Sequence, residues 1–425
     1  MIVSRLVTLA LFVFLILPNL EAKDQIHVQL KSGSDLMTQT IQAAIDSCSE
    51  NGGGVVVFST GTYLSGGIHL KSNVTLWLEK NAILQGSSTY SDYANDAFIF
   101  GENLSSISIR GEGTIDGVDC FNPEGEEGFR GPHCIRLINC RNISLEEFTI
   151  KNSANWAINC RYCSKAKVSK VSIRGGHDGL HTRFCNNFVV SGCDFRTGDD
   201  AFAGNDNRNF EVTDCKINTS CNAFRFGCYN FTVNHCKLWG PGEFVHKSQK
   251  RNNMLAAFVH FSPKDENPKI LSGKWRINDV QVDQVDHFYN YNFINGLWQT
   301  GQPVTSVYLR NIKATGLLNA FSINGDPERQ FRMSIKNSTF SYREKTSVNS
   351  SVFEGVESKS DAFFYAANFN RIDFKNITLE KTTSKVILEC ESGEKIVFEK
   401  IHFVSNSAII PYQFSNLKKF KNETN

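Results

Sequence analysis

Two carboxylates stand side by side in "RTGDDAFAGNDN", Asp199 and Asp200, and a third, Asp178, occurs one short interval earlier in "GGHDGLH". Adjacent acids on an ordered scaffold repel unless solvent, a cation or a function compensates, and the repulsion raises the pKa of one of them. An acid kept protonated beside others that stay ionised is what glycoside hydrolysis uses: one group protonates the leaving oxygen and another activates water. The alternative chemistry is a calcium site built from Asp178, Asp199 and Asp200, whose oxygens suit that ion.

Around the acids lie cations. His177 and His181 flank Asp178, Arg225 follows one coil after Asp200, and "EFVHKSQKR" supplies His246, Lys247, Lys250 and Arg251. Guanidinium suits carboxylate recognition, so Arg225 can hold either a cluster acid or an anionic substrate. All seven are candidate substrate-binding residues.

The elements that position these groups are short strands in a repeat. "CNNFVVSGCDF", "NRNFEVTDCKI" and "CYNFTVNHCKL" are versions of one phrase, with Asn-Phe pairs beginning at Asn187, Asn209 and Asn230, intervals of 22 and 21. Such a period, with alternating strands and no helical pattern, marks a β-solenoid. Stacking places equivalent residues about 4.8 Å apart, so Asn, Cys and Phe are expected to form ladders through the interior. Aligning on the period puts Ile158, Leu180, Phe202 and Phe224 in one inward column. The column two residues earlier reads Trp156, Asp178, Asp200, Asn222, and the one before that Asn155, His177, Asp199, Cys221. The three acids therefore converge on one patch.

One helix is predicted, in "SDLMTQTIQAAIDSCSENGGG", with Ser34 or Asp35 as cap, Ile41, Ala44 and Ile45 as apolar face and Gly52 to Gly54 as its end. It would cover the N-terminal edge of the solenoid. Residues 1–22, with Arg5, an apolar run from Leu6 to Leu17 and a small-residue site at Ala22, predict a signal peptide, so residues 23–425 are expected as one exported domain with no membrane span. Nine Asn-x-Ser/Thr sites, Asn218 among them, fit that route. With 45 basic against 43 acidic residues, no global field draws nucleic acid or an anionic membrane. Thirteen cysteines is an odd number; disulfides and buried apolar rungs are equally open. The aromatic run "VQVDQVDHFYNYNFINGLWQ" reads as packing rather than a sugar platform. The polar stretch 341–361 reads as a long loop, and the basic end "SNLKKFKNETN" as a mobile tail.

"TIQAAIDSCSENGGGVVVFSTGTYLSGGIHLKSNVTLWLEKNAILQGS", "GEGTIDG", Asp178 and "GDD" together resemble the polygalacturonase family of glycoside hydrolases, family 28, from Thr38 to about Gly240. The resemblance implies a right-handed parallel β-helix, inverting hydrolysis of a pectic polysaccharide, and no metal or organic cofactor; the chain is expected to act as a monomer. The family's Gly-Asp-Asp corresponds in full to Gly198-Asp199-Asp200, which makes Asp199 the implied general acid and Asp178 with Asp200 the implied water-activating pair. Its Asn-Thr-Asp corresponds to Gly176-His177-Asp178, where only the acid matches. Its Gly-His-Gly is replaced by Cys221-Asn222-Ala223, and its Arg-Ile-Lys has no counterpart around "NNMLAAF". Rhamnogalacturonan is therefore an alternative to polygalacturonan. A noncatalytic carbohydrate-binding protein and a polysaccharide lyase are the readings from other classes.

Overall fold

The computed structural model describes residues 26–33, 35–294, 296, 298–344, 360–381, 386–405 and 410–423. The expected signal peptide and most of the expected 341–361 loop lie outside them.

The strands pair in parallel with their counterparts in the coil before, the coil after or both, and the chain winds as a right-handed parallel β-helix. The period read from the sequence is the physical register. Ile158, Leu180, Phe202 and Phe224 are successive partners. The column extends back through Ile135 to Ile99 and Ile68, and forward through Phe258, Tyr289, Phe321 and Phe364 to Leu388 and Tyr412. Apolar residues at alternate positions point inward and leave the intervening side chains on the outer face. The Phe202 and Phe224 rings stack at 4.8 Å and Phe224 on Phe258 at 5.1 Å, so aromatic rungs carry the middle of the core.

The cysteine rungs are interior, as one of the two open readings had it: all thirteen are buried free thiols. The asparagine rungs are not. Asn187, Asn209 and Asn230 have φ of 59°, 54° and 63°, and Asn209 and Asn230 donate side-chain hydrogen bonds along an exposed ladder at 2.9 and 2.7 Å. Asparagine tolerates the left-handed corner where a coil turns, which places its ladder outside the core.

The capping helix spans Thr38–Glu50 and buries Ile41, Ala44, Ile45 and Cys48. Its N-cap position is Met37, not Ser34 or Asp35, and no side chain caps it. Thr38 instead accepts the Gly66 N–H at 2.7 Å, tying the first turn to the coil it covers. Phe288, Tyr289, Tyr291 and Trp298 are buried, as packing requires. The expected mobile tail is instead a final rung, Lys419–Asn422, paired with Lys395–Phe398. No helix among the described residues is long and apolar enough to cross a membrane.

Candidate active site

The acids sit where a coil turns into the strands Leu180–Arg183 and Phe202–Thr213. Threonines hold this turn: the Thr197 and Thr219 hydroxyls donate to the Asp199 carbonyl at 2.7 and 2.5 Å. Oxygens of Asp178, Asp199 and Asp200 lie within 4.8 Å of one another, as the column alignment predicts.

Their surroundings differ. Asp200 is buried and fully bonded: one oxygen accepts the Asn222 amide at 2.7 Å and its backbone N–H at 3.2 Å, and the other accepts Arg225 Nε. Arg225 lies over the Phe261 ring at 4.2 Å. Burial opposes its charge, but Asp200 and Asp178 outweigh this and hold its pKa above the ordinary value.

Asp178 is also buried, with one oxygen 2.9 Å from His181 Nδ1. Burial, then the charges of Asp199 and Asp200, push its carboxyl well above the usual range; Arg225 and Arg130 only partly offset them. His181 is itself kept neutral, its pKa well lowered by burial and then by Arg225, and its ring stacks on Trp156 at 3.6 Å and 8°.

Asp199 is the most accessible of the three, its side chain 16% exposed. Burial works to raise its pKa, but donors win: His246, Arg225 and Arg130 hold it below the carboxylate range. One oxygen accepts the Asp200 N–H at 3.0 Å and faces His246 Nε2 at 3.5 Å, and the other faces Arg130 at 3.6 Å. The His246 tautomer is set by its far side, because Nδ1 accepts the Gln249 N–H at 3.2 Å and so carries no proton. Nε2 therefore bears the hydrogen and donates toward Asp199.

His246 arrives on a segment that the repeat does not predict. Between Trp239 and Met254 the chain leaves the coil, anchored by Asn218, whose amide donates to Trp239 and Pro241 carbonyls at 2.9 and 2.8 Å and accepts the Glu243 N–H at 2.7 Å. Asn218 is thereby buried and unsuited to glycosylation in the folded chain. The segment lies directly on the glycine column beside the acids: a Cβ on Gly198 would stand 2.6 Å from the Val245 carbonyl oxygen, and one on Gly176 would stand 2.7 Å from Lys247 Cγ. A second excursion, 117–132, brings Arg130, which pairs with Glu127 at 2.8 Å, and Phe129, which stacks on His177 at 5.9 Å. Lys247 contacts Asp119, so the two excursions meet across the turn.

The expected cations thus take different places. Arg225, His181 and His246 contact the acids. His177 is buried with neither ring nitrogen bonded, its pKa lowered to about 3 by burial and then by Arg130 and Lys247. Arg251 clamps its own loop, donating to the Asn253 carbonyl at 3.0 Å and to Ser220. Lys250 is exposed at a turn with φ 53°, and makes no side-chain hydrogen bond or ion pair among the described residues. Arg130 and Phe129 were not foreseen, because their loop lies outside the repeat; Trp156 was visible in the acid column.

Residues 48–222 match the model of glycosyl hydrolases family 28. A probable polygalacturonase of Vitis vinifera is 27% identical over 167 residues, 33% of this chain and 34% of that protein. An endo-polygalacturonase of Pectobacterium carotovorum subsp. carotovorum is 26% identical over 162 residues, 30% of this chain and 40% of its own. The chain thus spans little more than a third of the curated relatives it matches. Among solved structures, a polygalacturonase from Erwinia carotovora ssp. carotovora superposes with a TM-score of 0.60 at 18% identity, covering 75% of this chain and 94% of that one. A family 28 exopolygalacturonase of Yersinia enterocolitica superposes at 0.59 with 17% identity, covering 94% and 78%. These likenesses establish the fold, and the sequence match relates residues 48–222 to the polygalacturonase-like family.

Proposed function

Proceeding from that relationship to glycosyl hydrolases family 28, we propose that the protein is an exported glycoside hydrolase of pectin-type polysaccharide, polygalacturonan or rhamnogalacturonan. The carrying observation is the convergence of Asp178, Asp199 and Asp200 in environments that push two of their protonation states apart. Carboxyls so divided supply an acid and a base at one pH.

The roles follow from the surroundings and differ from those the resemblance implies. Asp178, which retains the proton, is the general acid. Asp199, ionised and the most accessible of the three, activates water. Asp200, occupied by Arg225 and Asn222, fixes Arg225 beside the reacting sugar. The close carboxyl spacing is shorter than the roughly 6.5–9.5 Å general for inverting pairs. Inversion is still the outcome we propose, as the family resemblance implies, with the accessible Asp199 carboxylate taking the proton of the attacking water.

Arg225 and Arg130 stand where a cation would neutralise the cluster. At the neighbouring Asp199, Cys221 and His246, a metal on Nε2 would require a proton on Nδ1, the atom that accepts Gln249 N–H. Both features favour acid–base work over calcium or zinc. Proton NMR of the first product anomer tests the reading: an inverted anomer that mutarotates later is expected, and a retained one overturns the water-activating role of Asp199. An unsaturated product absorbing in the ultraviolet would mark a lyase instead.

A further inference from the structure

Across the outer face of the sheet from the acids, Arg161 and Arg183 are direct partners on neighbouring strands. Equivalent residues there lie about 4.8 Å apart, and like charges directly opposite are unfavourable. One carboxylate serves the pair: Glu266 reaches Arg183 at 2.9 Å, and Arg161 has no hydrogen-bond or ion-pair acceptor among the described residues. The Nε atoms of both are buried with no partner, as is that of Arg136, which pairs with Asn159 in the neighbouring column one coil earlier. An unmet buried donor is costly, because its hydration is lost and nothing replaces it. Arg136 is partly answered by the Asn95 carbonyl at 2.8 Å, whereas Arg161 is not answered at all. The fold therefore maintains an excess of guanidinium at one place.

That place is set relative to the acids. His181, which holds Asp178, is two residues before Arg183 on the same strand, and Asn159 stands in the same relation to Arg161. Residues i and i+2 share a face and lie about 6.6 Å apart. A saccharide placed over His181 would thus reach Arg161 and Arg183 with a substituent on that unit or the next.

We propose that Arg161 and Arg183 form an anion-binding subsite that takes the carboxylate or sulfate of an acidic sugar unit. Two planar guanidinium forks side by side suit a bidentate oxyanion, and Arg161 is the member with its donors uncommitted. The inference rests on the hydrolase reading for its ligand class and adds the recognition element that the segment around Asn252 to Phe258 does not supply.

The test measures binding by calorimetry in an Asp199→Asn background, with trigalacturonate and its fully methyl-esterified form as probes at fixed ionic strength. The background is expected to prefer the charged form. Arg161→Ala should weaken the charged probe by about tenfold and leave the ester within about twofold, with Arg161→Lys in between because it keeps the charge but loses the fork. Unchanged melting of the variants would show that the sheet is intact. The subsite is overturned if Arg161→Ala leaves the charged-to-ester ratio unaltered, or if the background shows no preference. A wild-type protein that binds with the expected preference but releases no reducing ends from either form contradicts the hydrolase reading and leaves the subsite standing.

Discussion

Asp178 and Asp199 are chemically identical side chains in opposite electrostatic settings, so the isosteric changes Asp178→Asn and Asp199→Asn should have opposite consequences. The wild-type kcat/KM is expected to fall at high pH as Asp178 loses its proton, and at low pH as Asp199 gains one. General acid or base assistance contributes about 10²–10⁴ in rate, or about 3–5 kcal/mol of barrier at 1.36 kcal/mol per decade. Asp178→Asn should lose about that much and abolish the basic limb, while an aryl glycoside with a good leaving group should recover much of the loss. Asp199→Asn should abolish the acidic limb and gain little from the aryl substrate. Stability gives a second readout. A carboxyl whose folded pKa is raised destabilises the fold progressively as pH rises from its unfolded value toward its folded one, whereas a depressed one stabilises above its unfolded pKa and loses this as pH falls. Asp178→Asn should therefore raise Tm at pH 7 and have no such effect below about pH 4, the unfolded carboxyl range; Asp199→Asn should lower Tm at pH 7. The conversion is about 1 °C per kcal/mol for a chain of 425 residues. The reasoning is refuted if Asp199→Asn is the variant that loses the basic limb and is rescued by the aryl leaving group, the pattern that the family resemblance implies.

Three further outcomes are expected. Gly198→Ala should push its new methyl against the Val245 and Gly176 carbonyls, 2.6 and 2.7 Å away, and cost about 1–3 kcal/mol; activity should fall while circular dichroism stays that of the parent, since the displaced segment carries His246. Phe224→Ala removes the rung between Phe202 and Phe258 and should cost about 3–5 kcal/mol in thermal or denaturant unfolding. Thiol titration without reductant should find no fast-reacting cysteine in the native protein and all thirteen after denaturation. Burial disfavours the thiolate, taking Cys134 up to about 12, for example; fewer than thirteen after denaturation would reveal disulfides.

What the sequence disclosed was whatever the repeat carries. Stacked strands have a fixed spacing, so the interval from Ile158 to Phe224 sufficed to place Asp178 beside Asp200 and Asp199 against Cys221. Two of the three donors that hold Asp199 ionised lie off the repeat, whereas Asp178 is set by burial and by the neighbouring acids on it. Arg130 and His246 come from excursions whose paths are fixed by particular contacts, such as Asn218 with the Pro241 carbonyl and the bare glycine column under Lys247. No period signals these. The asparagine ladder was misplaced for a related reason: spacing tells that residues stack, but φ decides whether the stack faces in or out.

The most direct test of the catalytic reading is reducing-end release on polygalacturonate, rhamnogalacturonan and neutral polysaccharides by the wild type, Asp178→Asn and Asp199→Asn, with binding measured alongside. Release from an acidic polysaccharide that drops at least about a hundredfold in each variant while binding persists is the predicted result. Undiminished release in either variant, or binding with no release by the wild type, would contradict it.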